Sequence, residues 1–114
     1  MKAAKRGMWS WFLQRLTGLL LVTAMAVHFI VTHFQSHTAI TFDQVSSRLQ
    51  TTTWQLFDIS LLALVIYHGF NGLWAIMLDF KPSILIKNVV GWGLSLFGML
   101  VFVYGSWALM AFTK

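Results

Sequence analysis

Three apolar runs constrain this chain more than any other feature: about residues 11–34, 54–78 and 86–112, the third starting near Ile84 or Val89 and ending at Phe112. Each exceeds the roughly 20 residues with which an α-helix crosses about 30 Å of hydrocarbon. Lipid offers no partners to exposed backbone N–H and C=O groups, so such runs must be helical, and the period-two pattern of barrel strands is missing. The expected fold is therefore all-α and integral to a membrane, with three transmembrane helices in a single domain over residues 1–114. Composition agrees, because 58% of residues are hydrophobic and 10% charged, against roughly a quarter charged in an ordinary soluble domain. The first run is too long for a cleavable signal peptide, and no small-x-small cleavage site followed by a soluble mature domain is present. Cysteine is absent, which removes disulfides, thiolate metal sites and cysteine nucleophiles from consideration.

The net charge of +5 comes from eight Lys and Arg against three Asp and Glu. These cations stand at the ends of apolar runs without forming an aromatic-interleaved patch, so they read as topology determinants and not as a nucleic-acid surface. Lys2, Lys5, Arg6, Arg15, Lys81 and Lys87 fall on one side and Arg48 and Lys114 on the other. The excess places the N-terminus and the short Asp79-Phe80-Lys81-Pro82-Ser83 connection in the cytoplasm. Trp9, Trp11, Trp74 and Trp92 then mark the inner boundary, and Trp54 and Trp107 the outer. The polar stretch from Gln35 to Thr53 becomes the outer connection.

Ionisable side chains inside a span face a partner, a cavity or a cofactor, which singles out Arg15, His28, His33, Asp58, His68 and Asp79. His68 is the most central, within Tyr67-His68-Gly69-Phe70-Asn71-Gly72-Leu73-Trp74. Glycines at 69 and 72 clear the space a flat macrocycle needs beside an axial ligand, and neutral imidazole is a good haem ligand in a bundle core. The alternative is an interhelical hydrogen bond at a glycine-mediated crossing, and spacing alone does not decide between them. His28 poses the same choice, with more weight on helix packing. His33 and His37 fall at or beyond the outer interface, and Asp58 lies one turn into the second span where it can reach that interface. At 1.5 Å per residue, His28 stands about 25 Å from an inner end near Trp11 and His68 about 16 Å from one near Asp79. The mismatch of roughly 9 Å disfavours both histidines serving one iron and favours a separate haem for each, shared with another chain. Gly91, Gly98 and Gly105, spaced by seven, read as a packing face ahead of a porphyrin edge. Arg15 and Asp79 both belong to cytoplasmic helix ends, where they can pair, or Arg15 can meet a haem propionate or a quinone oxygen.

Two segments resemble the small hydrophobic anchor subunits, cytochrome b type, of succinate dehydrogenase and fumarate reductase. Trp9-Ser10-Trp11-Phe12-Leu13-Gln14-Arg15-Leu16-Thr17-Gly18 is similar to the family's Trp-x-x-Gln-Arg-x-Thr/Ser-Gly opening of helix one. His68-Gly69-Phe70-Asn71-Gly72-Leu73-Trp74 followed by Asp79-Phe80 resembles its more specific His-x-x-x-Gly-x-(Arg/Trp)-x-x-x-x-Asp-Tyr run. The resemblance implies that His68 is an axial ligand of haem b and that Arg15 lies near the quinone pocket and the propionates. Ser10 and Asp79 are further candidates there, although the family's serine precedes the arginine by four residues, where this chain has Trp11. Phe80 replaces a Tyr whose phenol would bond the quinone. His28-Phe29-Ile30-Val31-Thr32-His33-Phe34 resembles a helix-one run of the di-haem branch. That likeness implies a second haem at His28 on the outer side.

The resemblance thus implies an anchor subunit of succinate:quinone oxidoreductase, respiratory complex II, in a bacterial cytoplasmic (inner) membrane. Its partners would be a flavoprotein subunit, an iron-sulfur subunit and a second cytochrome b anchor chain completing a haem-binding bundle. The cofactors would be one haem b or two, with ubiquinone or menaquinone as substrate, and no residue of this chain would be catalytic in its own right. Two other readings of the same residues are a haem-free structural anchor, with His68 as packing glue, and a small proton-conducting subunit using Asp58, His28 and His68. The absence of broken helices and inverted repeats weighs against the last.

Overall fold

The computed structural model describes residues 2–34 and 40–113. It contains four α-helices and a terminal 3-10 turn: α1 (Lys2–Phe34), α2 (Phe42–Leu49), α3 (Thr52–Asp79), α4 (Ile84–Met110) and the turn Ala111–Thr113. Three of the helices are long and apolar enough to span a membrane, α1 from Gly7 to Phe34 and α3 and α4 over their whole lengths. The chain is all-helical, as its apolar runs require. His37, expected near the outer interface, and Lys114 lie outside the described residues.

α3 is the middle helix. α1 packs against the face that carries Asp58, His68, Asn71 and Gly72, whereas α4 packs against Gln55, Leu62, Ile66, Phe70 and Trp74. At 100° per residue these two sets fall on opposite sides of the helix. The glycine stripe of α4 supplies the second contact: a Cβ at Gly91 would stand 3.3 Å from Trp74, one at Gly98 2.9 Å from Phe70, and one at Gly105 2.6 Å from Leu62. All three positions are in use as a packing surface, the close backbone approach that small residues allow between membrane helices.

α2 interrupts what reads in the sequence as an irregular polar connection. Thr41 caps it: its hydroxyl accepts from Gln44 N, and Gln44 Oε1 accepts from Thr41 N, each at 3.3 Å. This reciprocal capping box starts a two-turn helix whose Leu49 is one of the most buried residues of the chain, 3% exposed. Phe42 meets Phe112 of the terminal turn, with ring centroids 5.8 Å apart. Arg48 Nη1 donates to Thr32 Oγ1 at 3.3 Å, which ties α2 to the end of α1.

The core is inverted relative to a soluble protein. Among the described residues the only buried hydrophobic side chains are Leu49 and Leu61, while Thr17 and Asp58 are buried at 7% and 8% exposure. Lipid solvates Leu and Phe as well as a neighbouring helix does, so buried positions between helices go to groups that lipid does not satisfy.

Candidate functional site

A polar ladder joins α1 to α3. Ser10, Gln14 and Thr17 follow i, i+4, i+7 spacing and so share one face of α1. Ser10 Oγ donates to Asn71 Oδ1 at 2.8 Å, and Asn71 Nδ2 donates to Gln14 Oε1 at 2.8 Å and to Ser10 O at 3.2 Å. Gln14 Nε2 donates to the backbone oxygen of His68 at 3.1 Å. Above it, Thr17 Oγ1 lies 3.1 Å from His68 Nδ1 and donates to its own helix, to Leu13 O at 2.7 Å and to Gln14 O at 3.2 Å. A Cβ on Gly18 would sit 3.1 Å from His68 Cε1, so this glycine leaves the room the imidazole occupies.

His68 is half-buried, and no hydrogen bond reaches its Nε2 from the described residues. A ring nitrogen left free on an immobilised imidazole is the kind of atom that can ligate a metal. Among the described residues no cluster of three or more His, Cys, Asp or Glu competes for a bare metal ion. The two glycines next to His68 behave differently from each other. Gly69 has nothing within 4 Å of a would-be Cβ, so its side of the helix is open to a flat group, whereas the Gly72 position is filled by the Gln14 amide at 3.0 Å.

His28 faces the other end of the same helix pair. Its Nδ1 is 3.5 Å from Asp58 Oδ1, with side-chain exposures of 34% and 9%, and Asp58 Oδ1 has no hydrogen-bond partner. Asp58 therefore turns inward to His28, away from the interface. The matched pairs Ser10–Asn71, Thr17–His68 and His28–Asp58 fix the register of α1 on α3. Thr17 and His28 are eleven residues apart, so the two histidines are separated along the bundle by about 16 Å, wider than the roughly 9 Å obtained from assumed helix ends. Trp11 is not the inner end of α1, which runs back to Lys2.

The same register corrects the pairing of Arg15 with Asp79. Arg15 stands level with residues 68–71 of α3, about 15 Å from the level of Asp79, and the two form no ion pair. Arg15 stacks instead on Trp11, one turn earlier, with Cζ 3.8 Å from the ring centroid. Arg15 is exposed, and cation–π stacking leaves guanidinium N–H groups free to donate in their own plane. Asp79 is exposed at the end of α3, followed by Phe80, which is 82% exposed, and by Lys81 at φ 50°. Ser10, by contrast, commits its hydroxyl to Asn71.

A groove of about 820 Å³ runs between α3 and α4, lined by Tyr67, Phe70 and Trp74 from α3 and by Gly91, Ser95 and Met99 from α4, with Lys87 and Asn88 at one end. It is bordered as well by Asn71, which also bonds Ser10 and Gln14 of α1. Gln14, Thr17 and Asn71 stand within the two motif segments of the sequence without a role of their own, and their polar spacing on spanning helices is the signal that points to one.

Three spanning helices joined by a polar seam that holds one imidazole by its Nδ1 define a multi-pass helical membrane protein. Residues 1–107 match the family described as the succinate dehydrogenase/fumarate reductase transmembrane subunit, and the chain belongs to that family. It is 34% identical over 102 residues to a succinate dehydrogenase hydrophobic membrane anchor subunit of Archaeoglobus fulgidus, covering 90% of this chain and 87% of the relative. A subunit of the same description from Thermoplasma acidophilum is 31% identical over 103 residues, covering 90% and 84%. A third, from Coxiella burnetii, is 23% identical over 82 residues, covering 72% and 70%. The relatives span archaea and bacteria.

Proposed function

We propose that this chain is a membrane anchor subunit of succinate dehydrogenase that holds haem b through His68 Nε2 and lends Arg15 to the neighbouring propionate or quinone site. The observation that carries the reading is the His68 ring, tied to α1 through Nδ1 and free at Nε2. The anchor binds flavoprotein and iron-sulfur subunits at its cytoplasmic face, where the six-to-two excess of cations places the N-terminus and the Asp79–Ser83 connection. A second anchor chain would complete the bundle around the group that His68 would hold. Haem supplies a one-electron store between the iron-sulfur subunit and the quinone, either ubiquinone or menaquinone. The protein contributes position and electrostatics: His68 is oriented by α1, Arg15 presents donors to an anionic oxygen, and the apolar flanks keep water out. Asp79 and Ser10 are secondary polar groups at the same end, Ser10 acting through Asn71.

A second haem at His28 is supported by its half-exposed ring and by the separation of about 16 Å from His68, which leaves room for two macrocycles. A reduced-minus-oxidised spectrum of the purified complex tests both proposals. It should show b-type absorption, and His28→Ala should remove about half of it while sparing the rest. Total absence of b-type absorption would leave the chain as a haem-free anchor, and an unchanged spectrum in His28→Ala would end the two-haem proposal.

Arg15→Leu should depress succinate-driven quinone reduction at least tenfold, in line with the roughly 2–4 kcal/mol attached to a positioned charged donor, while succinate oxidation by an artificial acceptor stays near wild type. Equal losses in both assays would indicate misassembly and overturn the role.

A further inference from the structure

The contact between Thr17 and His68 determines more than the position of the ring. A hydroxyl has one proton, and the nearest acceptor to that of Thr17 is a carbonyl of its own helix, Leu13 O at 2.7 Å, with Gln14 O at 3.2 Å. Only lone pairs of Oγ1 are then left to face His68 Nδ1 at 3.1 Å. A lone pair facing a ring nitrogen at that distance requires an N–H on the nitrogen, because two lone pairs would repel. This arrangement matches an imidazole with a proton on Nδ1 and a lone pair on Nε2. A histidine side chain free in water leans the other way, toward the Nε2–H form.

The surroundings keep the ring in this setting. Thr17 is 7% exposed, so no solvent competes for its oxygen. Gln14 holds the His68 backbone through its carbonyl, and the missing side chain of Gly18 leaves space for the Cε1 edge that a bulkier residue would displace. In a spanning segment the alternative partner for an Nδ1–H would be lipid, which accepts nothing.

We propose that Thr17 is a positioning residue that fixes His68 as the Nδ1–H tautomer, leaves the Nε2 lone pair free to ligate, and sets the donor strength of the ring. This rests on the reading of His68 as a haem ligand. An imidazole whose other N–H is given to an acceptor is a more basic ligand, and a more basic ligand favours the oxidised iron. Thr17 itself touches neither haem nor quinone.

Two readouts test the inference. In the full-length chain, haem-free in lipid bilayers and labelled with nitrogen-15 at histidine, the His68 resonances should report a protonated Nδ1 and a bare Nε2. Thr17→Ser should retain that pattern and Thr17→Val, matched in shape but unable to accept, should lose it. A bare Nδ1 in the wild type, or an unaltered tautomer in Thr17→Val, overturns the proposal. In the assembled complex, Thr17→Val should raise the midpoint potential of the haem lost in His68→Ala. At a fixed ambient potential its oxidised-to-reduced ratio should fall several-fold, up to about tenfold or 59 mV for one electron. Thr17→Ser should match the wild type, as should Thr23→Val, which removes a hydroxyl that bonds only Leu19 O within α1. An unmoved potential in a haem-replete Thr17→Val complex overturns the tuning. If Thr17→Val fails to assemble, the wild-type tautomer and the Thr17→Ser potential still decide. If no haem depends on His68, the ligand reading falls while the tautomer measurement judges Thr17 separately.

Discussion

Replacement of His68 by alanine should lower the occupancy of the haem it ligates by more than about tenfold, and leave a haem at His28 in place, since even groups behind a ligand cost roughly 10–100-fold in affinity when changed. The substitution is selective for structural reasons. Gln14 bonds the backbone oxygen of residue 68, so that rung survives. The Ser10–Asn71–Gln14 bonds one turn away do not involve the imidazole. Thr17 loses a neighbour but keeps its bond to Leu13 O at 2.7 Å, so no buried hydroxyl is orphaned. Assembly of the subunits and succinate oxidation by an artificial acceptor should therefore persist while the pyridine haemochrome falls. Undiminished haem in His68→Ala would reduce this imidazole to interhelical packing.

The spans were legible because their physics is collective. A run of more than about 20 apolar residues has one stable solution in lipid, and small errors at its ends do not change that solution. Less was legible wherever the answer depended on one helix meeting another. The ends of apolar runs set α1 near Trp11, but the helix continues to Lys2 through polar residues that form good helix outside the hydrocarbon. That displacement made Arg15 look like a terminal residue suited to Asp79, although the register places it level with His68. Asp58 looked like an interfacial residue for the same reason, yet it is buried against His28. α2 escaped notice because the stretch from Gln35 to Thr53 has no apolar run. Its local signal, Thr41-x-x-Gln44 before Val45, is a capping box and was available. The glycine stripe was read correctly as packing, since spacing by seven on a spanning helix already specifies one face.

That stripe yields the largest effect expected away from His68. Between membrane helices the usual hydrophobic driving force is missing, so the α3–α4 contact depends on close fit. An interhelical hydrogen bond joins the two near their outer ends, Gln55 Nε2 to Leu109 O at 3.2 Å. At Gly98 an added Cβ would meet the Phe70 ring at 2.9 Å and Ile66 Cγ2 at 3.2 Å. Phe70 has little freedom to yield, because its ring is stacked on Phe97 at 5.9 Å and 15°. At Gly105 the clash is closer, 2.6 Å, but falls on Leu62 Cδ2, the end of a side chain that can rotate away. At Gly93 nothing lies within 4 Å. The order of damage should follow the rigidity of the neighbour and not the distance. Gly98→Ala should cost about 1–3 kcal/mol by overpacking, and Gly105→Ala less. Gly93→Ala should be neutral or stabilising by up to about 1 kcal/mol from helix propensity. Thermal unfolding of the complex followed by helical circular dichroism should rank the three variants in that order, with Gly98→Leu more damaging than Gly98→Ala. Equal stability of Gly98→Ala and Gly93→Ala would mean that α3 and α4 are not held at this crossing.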